Sequence, residues 1–156
     1  MIAVDPFLKA PSDRAPAHEL LVVPEWDEAA WRDLFSYAQP IQVRTGELLI
    51  QRGATERALF FVTSGSLNIV SSIGDSALGT IAGVRPGSVV GELAFFDGQP
   101  RTAKVWATAD SMLLRLDGEA FRRYQETHPA RAAELMFAFC RLMALRLRRT
   151  IMQSSR

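Results

Sequence analysis

GELAFFDGQPRTA, residues 91–103, is the stretch on which the reading of this chain turns. Gly91 leads into a short apolar turn, and the first amide hydrogens of such a turn lack acceptors within it. An anion placed there satisfies them. Arg101 follows nine residues after Glu92 and adds a permanent cation, whose planar fork of donors matches two phosphate oxygens. Glu92 would repel an anion, so its carboxylate suits a sugar hydroxyl instead, as acceptor for a ribose 2′-OH that also helps to orient Arg101. Leu93 and Ala94 supply the backbone of the turn, Thr102 a hydroxyl, and Ala103 a small side chain that leaves room for a ligand. Pro100 fixes its own φ and biases Gln99 toward extended backbone, so Arg101 is presented as the chain leaves the turn. For Glu92 and Arg101 alone, a surface ion pair worth ~0–1 kcal/mol is the simpler reading. The whole run points to a pocket for a phosphate ester of a ribonucleotide.

Outward from this stretch the texture is that of short β-prone runs punctuated by glycine: 41–44, 47–51, 59–63, 66–71, 78–84, 102–107 and 111–116. Such spacing predicts a sandwich or barrel whose strands meander, with Gly46, Gly53 and Gly65 among the reversals. Before it, Trp26, Ala29, Ala30, Leu34, Phe35 and Ala38 recur at three- and four-residue steps, predicting a helix over 25–38 that Pro40 stops. Residues 1–24 carry Pro6, Pro11, Pro16 and Pro24 and no sustained period, which reads as an extended or poorly ordered arm. After the strands, Asp117 is an N-cap candidate for a helix over 118–127 ended by His128-Pro129, and a long helix follows over 130–152. Its apolar stripe is wider than one barrel face needs. Leu135, Ala138, Leu142, Leu145, Arg149 and Met152 form a candidate seam for a second copy, broken by Arg149.

At 156 residues with 48% hydrophobic and 22% charged, the chain suits one folded domain, 25–156, behind the arm. Its net charge of +1 argues against a general nucleic-acid surface. No apolar run is long enough to span a bilayer, and the N-terminus lacks the apolar middle of a secretory signal, so a cytoplasmic location is expected. Cys140 stands alone, which excludes an intrachain disulfide or a thiolate metal centre, and it is expected to pack as a small apolar residue. His18 and His128 are the only histidines and no G-x-S-x-G elbow occurs, so neither a metal, a cofactor nor catalytic turnover is expected. The residues after Thr150 are too few for a helix-turn-helix, so sequence-specific DNA binding is not expected.

Residues 87–103 closely resemble the phosphate-binding cassette of cyclic nucleotide-binding domains, and Phe60-Phe61-Val62-Thr63-Ser64-Gly65-Ser66-Leu67 is similar to that family's strand–glycine–strand segment. Gly46 and Gly53 fall at matching turns, and the resemblance covers roughly 26–152. It implies a mainly β fold with flanking helices. This would be an antiparallel β-roll, a jelly-roll-like double-stranded β-helix over about 41–116, with an N-terminal helix, a short cassette helix and two C-terminal helices over about 117–152. The resemblance places Glu92 on a ribose 2′-OH and Arg101 on the exocyclic oxygens of a cyclic phosphate, with Gly91, Leu93, Ala94, Thr102 and Ala103 completing the cradle. Val90 replaces a commonly larger residue, which changes packing more than polar chemistry. In similar proteins polar residues of the final helix approach the purine, which makes Arg146 and Thr150 the base-side candidates. Thr102 is compatible with either purine, and cAMP is favoured over cGMP. Two functions follow as expectations: a sensor whose final helix moves and signals to an effector protein, or a ligand-independent assembly module that retains the fold. Replacing Arg101 by alanine is expected to remove nucleotide affinity and leave the fold intact.

Overall fold

The computed structural model describes residues 2–8, 18–71 and 80–154. Helix α1 (Asp5–Leu8) and helix α2 (Glu28–Phe35) precede strands β1 (Gln39–Val43), β2 (Leu48–Ile50), β3 (Ala58–Ser71), β4 (Thr80–Val84) and β5 (Val89–Val90). Helix α3 (Glu92–Asp97) then leads into strand β6 (Lys104–Asp117), helix α4 (Gly118–Thr127) and helix α5 (Pro129–Ser154). The six strands form one antiparallel sheet in the order β1-β6-β3-β4, with β2 added on β6 and β5 on β3. This is the expected roll with helices on its flank.

Two long strands carry it. The runs at 59–63 and 66–71 are one strand, β3, and those at 102–107 and 111–116 are one strand, β6. Their pairing slips register between Val62 and Leu67, so the ribbon bends through bulges rather than reversing. Gly65 sits at this bend with φ +91°, and a Cβ there would lie 2.6 Å from the Asp110 carbonyl oxygen. Only glycine lets the two strands approach so closely.

Strand periodicity divides the core. Phe60 and Val62 of β3, with Val105, Ala107 and Leu113 of β6, fill the interior of the roll together with Val43, Ile50 and Val90. Leu59 and Phe61, with Leu114 and Leu116, point the other way into a helical layer built from Trp31, Phe35, Tyr124, Leu135 and Phe139. Asp27 caps α2 by accepting from the Ala30 amide at 2.9 Å, and Asp117 caps α4 by accepting from Ala120 at 2.8 Å.

Several expectations are corrected here. The helix expected over 25–38 is confined to Glu28–Phe35, and Pro40 lies inside β1 rather than terminating a helix. Because β1 is an edge strand, a missing N–H is tolerated there. The N-terminal segment is not an extended arm where it is described: α1 buries Phe7, and Val4, Leu21 and Val23 join the helical core. Phe7 rings pack on Trp31 at 4.9 Å and on Phe61 at 5.9 Å. Residues 9–17, and residues 78–79 at the start of the run expected at 78–84, lie outside the described residues; the rest of that run is β4. Cys140 is exposed rather than packed. Leu135, Ala138 and Leu142 of the candidate seam are buried against the chain's own core, so that seam does not face outward. No helix among the described residues is long and apolar enough to cross a membrane.

Candidate functional site

The loop before α3 enters the site through Gly87 and Ser88. Val89 and Val90 pair with Phe61 and Phe60, which fixes the strand against β3. Gly91 then adopts φ +87° as the N-cap of α3 and has no side chain with which to cap it. The first intrahelical bond is donated by Phe95 to the Gly91 carbonyl at 3.2 Å, so the amides of Glu92, Leu93 and Ala94 precede it. Sequence places Leu93, Ala94 and Phe95 at the donor end of this turn; Leu93 and Ala94 stand there, whereas the Phe95 amide is spent on Gly91 and Glu92 takes its place.

Arg101 is held from both ends. Its amide donates to the Ala54 carbonyl at 2.8 Å and its carbonyl accepts from Gly53 at 2.8 Å, so the 53–54 turn pins the backbone. Its guanidinium donates through Nη1 to the Gly91 carbonyl and through Nη2 to the Ala58 carbonyl, each at 2.8 Å. The side chain is only 5% exposed, and its Cζ lies 6.0 Å from the Phe60 ring centroid. Burial lowers the Arg101 pKa from the usual arginine value, Glu56 and Glu92 oppose that shift, and Arg115 adds to it. A guanidinium starts so high that it stays cationic at neutral pH. The carbonyls, rather than Glu92, orient it. Its other N–H groups have no acceptor among the described residues, which leaves donors for a phosphate.

Glu92 pairs elsewhere. Its Oε1 accepts from Arg146 Nη1 of α5 at 2.8 Å, and both side chains are largely shielded from solvent. Arg146 Nε donates to the His18 carbonyl at 3.0 Å, and Nη2 reaches Ser88 Oγ at 3.3 Å. One guanidinium therefore ties α5, the cassette, its entry turn and the N-terminal segment together.

Gly91, Glu92, Leu93, Ala94, Arg101, Thr102 and Ala103 all line a single cavity of about 170 Å³. Ile50, Ile69, Val90 and Val105 line it as well, with Ser71. Apart from Val90, these residues were not singled out from sequence, although strand alternation would have turned Ile50 and Val105 inward. The Ala58 carbonyl had no signal at all, because a backbone acceptor is the same for every residue type. Arg146 and Thr150 do not line this cavity. They lie on an adjoining cleft that shares Glu92 and Ile69 with it, and the Thr150 hydroxyl donates to the Arg146 carbonyl of its own helix at 3.0 Å.

The cavity thus brings the amides of the α3 start, a buried guanidinium and Glu92 together with an apolar lining. The family model described as the cyclic nucleotide-binding domain matches residues 40–128. The chain is 30% identical over 113 residues to the cAMP-dependent protein kinase regulatory subunit of Blastocladiella emersonii, covering 72% of this chain and 28% of that protein. It is 27% identical over 112 residues to a CRP-like cAMP-activated global transcriptional regulator of Mycobacterium tuberculosis, covering 72% of this chain and 48% of that protein. The chain thus spans less than half the length of either relative. A cyclic nucleotide-binding domain from Methylobacillus flagellatus superposes with a TM-score of 0.76 at 21% identity, covering 87% of this chain and 76% of that one. That likeness concerns the fold. With the family model matching more than half of its length, the chain belongs to the cyclic nucleotide-binding domain family.

Proposed function

We propose that this chain is a non-enzymatic regulatory module that takes a 3′,5′-cyclic nucleotide in the cassette cavity and passes the event to a partner protein through α5. Arg101 and the amides of Leu93 and Ala94 hold the cyclic phosphate, Glu92 holds the ribose 2′-OH, and Thr102 and Ala103 close the cradle. The observation that supports this reading is that Arg101, its guanidinium bonded to the Gly91 carbonyl, lines one cavity with Glu92 and the amide-bearing start of α3. Arg146 is the natural relay, since it holds Glu92 from α5. Arg146 and Thr150 border the adjoining cleft, and the base would lie toward it. cAMP is the favoured ligand over cGMP, in keeping with the names of both relatives, and the cytoplasm is the favoured location. A calorimetric titration with cAMP and with cGMP tests this: saturable binding of one nucleotide per chain is expected, and absence of heat with both refutes it.

A second reading rests on the exposed face of α5. Phe137 is 76% exposed, Leu147 61% and Ile151 56%, and with Cys140 and Ala144 they recur at alternating three- and four-residue steps. That is a heptad seam displaced by two residues from the one expected, and it fits a homodimer through paired α5 helices. Nucleotide-independent assembly would use the same seam. Leu147→Asp is expected to convert a dimer into a monomer in sedimentation, while Cys140 of the unaltered protein cross-links to its counterpart in a parallel pair. A wild-type protein that sediments as a monomer with and without cAMP removes the dimer.

A further inference from the structure

The cleft adjoining the cassette has one wall that sequence reasoning treated as outside the domain. Its residues include Glu92 of the cassette, Arg146 and Arg149 of α5, and His18 and Glu19 of the N-terminal segment. The segment is anchored there by its backbone, because the Leu21 amide donates to the Gly87 carbonyl at 3.0 Å. Leu20 and Leu21 are buried beside that contact. The His18 carbonyl then accepts from Arg146 Nε at 3.0 Å, on the far side of the guanidinium from Glu92. His18 is thus the next member of a chain that runs from the cassette carboxylate through Arg146.

We propose that His18 is a positioning residue of the nucleotide site: docked on α5, it holds Arg146 against Glu92, and its protonation releases the segment and weakens nucleotide binding. The inference rests on the cyclic nucleotide reading above and adds the N-terminal segment and a proton to it.

The electrostatics around the ring give the direction. His18 Nε2 contacts Arg149 Nη1, and since a guanidinium only donates, a neutral ring can accept there whereas a protonated ring is repelled. Arg146 and Arg149 face it from α5. Glu19 lies 3.8 Å from the ring on the same segment, and its other oxygen is 3.0 Å from Arg85 Nε in the turn after β4. Glu92 approaches from α3, already paired with Arg146. Arg146, Arg149 and Arg85 outnumber Glu19 and Glu92, and each carboxylate is already paired with an arginine, so a further positive charge on the ring is disfavoured. Burial lowers the His18 pKa from 6.5, as does Arg149 and then Arg146, and Glu19 opposes them. A group whose docked form has the lower pKa is docked fully above 6.5. As pH falls below 6.5 the released form takes up the proton first, so docking is lost.

The test uses the full chain, with cAMP as the probe. Calorimetric affinity at pH 7.5 and 5.5 is expected to differ up to about tenfold in the wild type, weaker in acid, because the released form is ~90% protonated one unit below its pKa. His18→Gln keeps a neutral polar side chain and is expected to show no such loss. A ligand-free readout accompanies it. Hydrogen exchange at the Leu21 amide, corrected for intrinsic rate, should accelerate between pH 7.5 and 5.5 in the wild type and not in His18→Gln. An affinity independent of pH in the wild type, or an equal loss in both proteins, overturns the proposal. Absence of cAMP binding at both pH values overturns the cyclic nucleotide reading and the coupling built on it, while acid release of the segment is still decided at Leu21.

Discussion

Arg101→Ala is expected to weaken cAMP binding by roughly 30-fold to several thousandfold, the equivalent of the ~2–5 kcal/mol lost when one member of a buried, hydrogen-bonded charge pair is truncated. It is also expected to destabilise the protein, contrary to the view that the residue serves the ligand alone. Its guanidinium satisfies the carbonyls of Gly91 and Ala58. Gly91 retains the Phe95 amide as a donor, but the buried Ala58 carbonyl loses its guanidinium partner. Leaving such a group unsatisfied costs ~1–3 kcal/mol, or a fall in Tm of about 2–12 °C in a chain of this size. Arg101→Lys retains charge but not the fork, so it should recover little affinity. Calorimetry gives the first quantity and thermal denaturation the second. Unchanged affinity would remove Arg101 from the site, and an unchanged Tm would remove it from the scaffold.

Gly91→Ala is expected to be the most disruptive single-methyl change in the cassette. At φ +87° any L side chain is strained, and the added Cβ would stand 2.6 Å from Arg101 Nη1 and 2.8 Å from the Ala58 carbonyl oxygen. The carbonyl belongs to a buried strand and has nowhere to go. Strain and overpacking together amount to roughly 2–6 kcal/mol. Gly46→Ala separates the two effects, since Gly46 has nearly the same φ of +86° and no heavy atom within 4 Å of its Cβ position. It should cost only about 1–2 kcal/mol of backbone strain. Thermal denaturation of both variants is the measurement. Equal falls in Tm would mean that the close approach of Arg101 to Gly91 carries no energy.

The cassette was legible because its chemistry is local. Gly91, the amide-bearing turn and Arg101 all lie within thirteen residues of sequence, and the structure brings each of them to one cavity. Cap chemistry was equally local: Asp117 opens α4 where its side chain was expected to, and α4 spans Gly118–Thr127 as expected. What was not legible depended on partners far apart in the chain. Prolines at 6 and 11 suggested an arm, yet burial of Val4 and Phe7 is decided by the Trp31, Phe35 and Phe61 rings that receive them. The orientation of α5 was hidden for a related reason. Its apolar residues extend most of the way round, so periodicity could not choose between turning Leu135 and Phe139 inward or Phe137 and Leu147. Packing on the roll decided it. Glu92 was read as an acceptor beside Arg101, and the structure gives it Arg146 instead, a residue 54 positions away.

The central claim is that the amides of α3 and the Arg101 guanidinium receive a cyclic phosphate. Nuclear magnetic resonance of the uniformly 15N-labelled chain titrated with cAMP reads those groups one at a time. Saturable shifts at the Leu93 and Ala94 amides and at Arg101 Nε, with a common dissociation constant, are the expected result. Shifts confined to other surfaces, or none up to millimolar cAMP and cGMP, would contradict it.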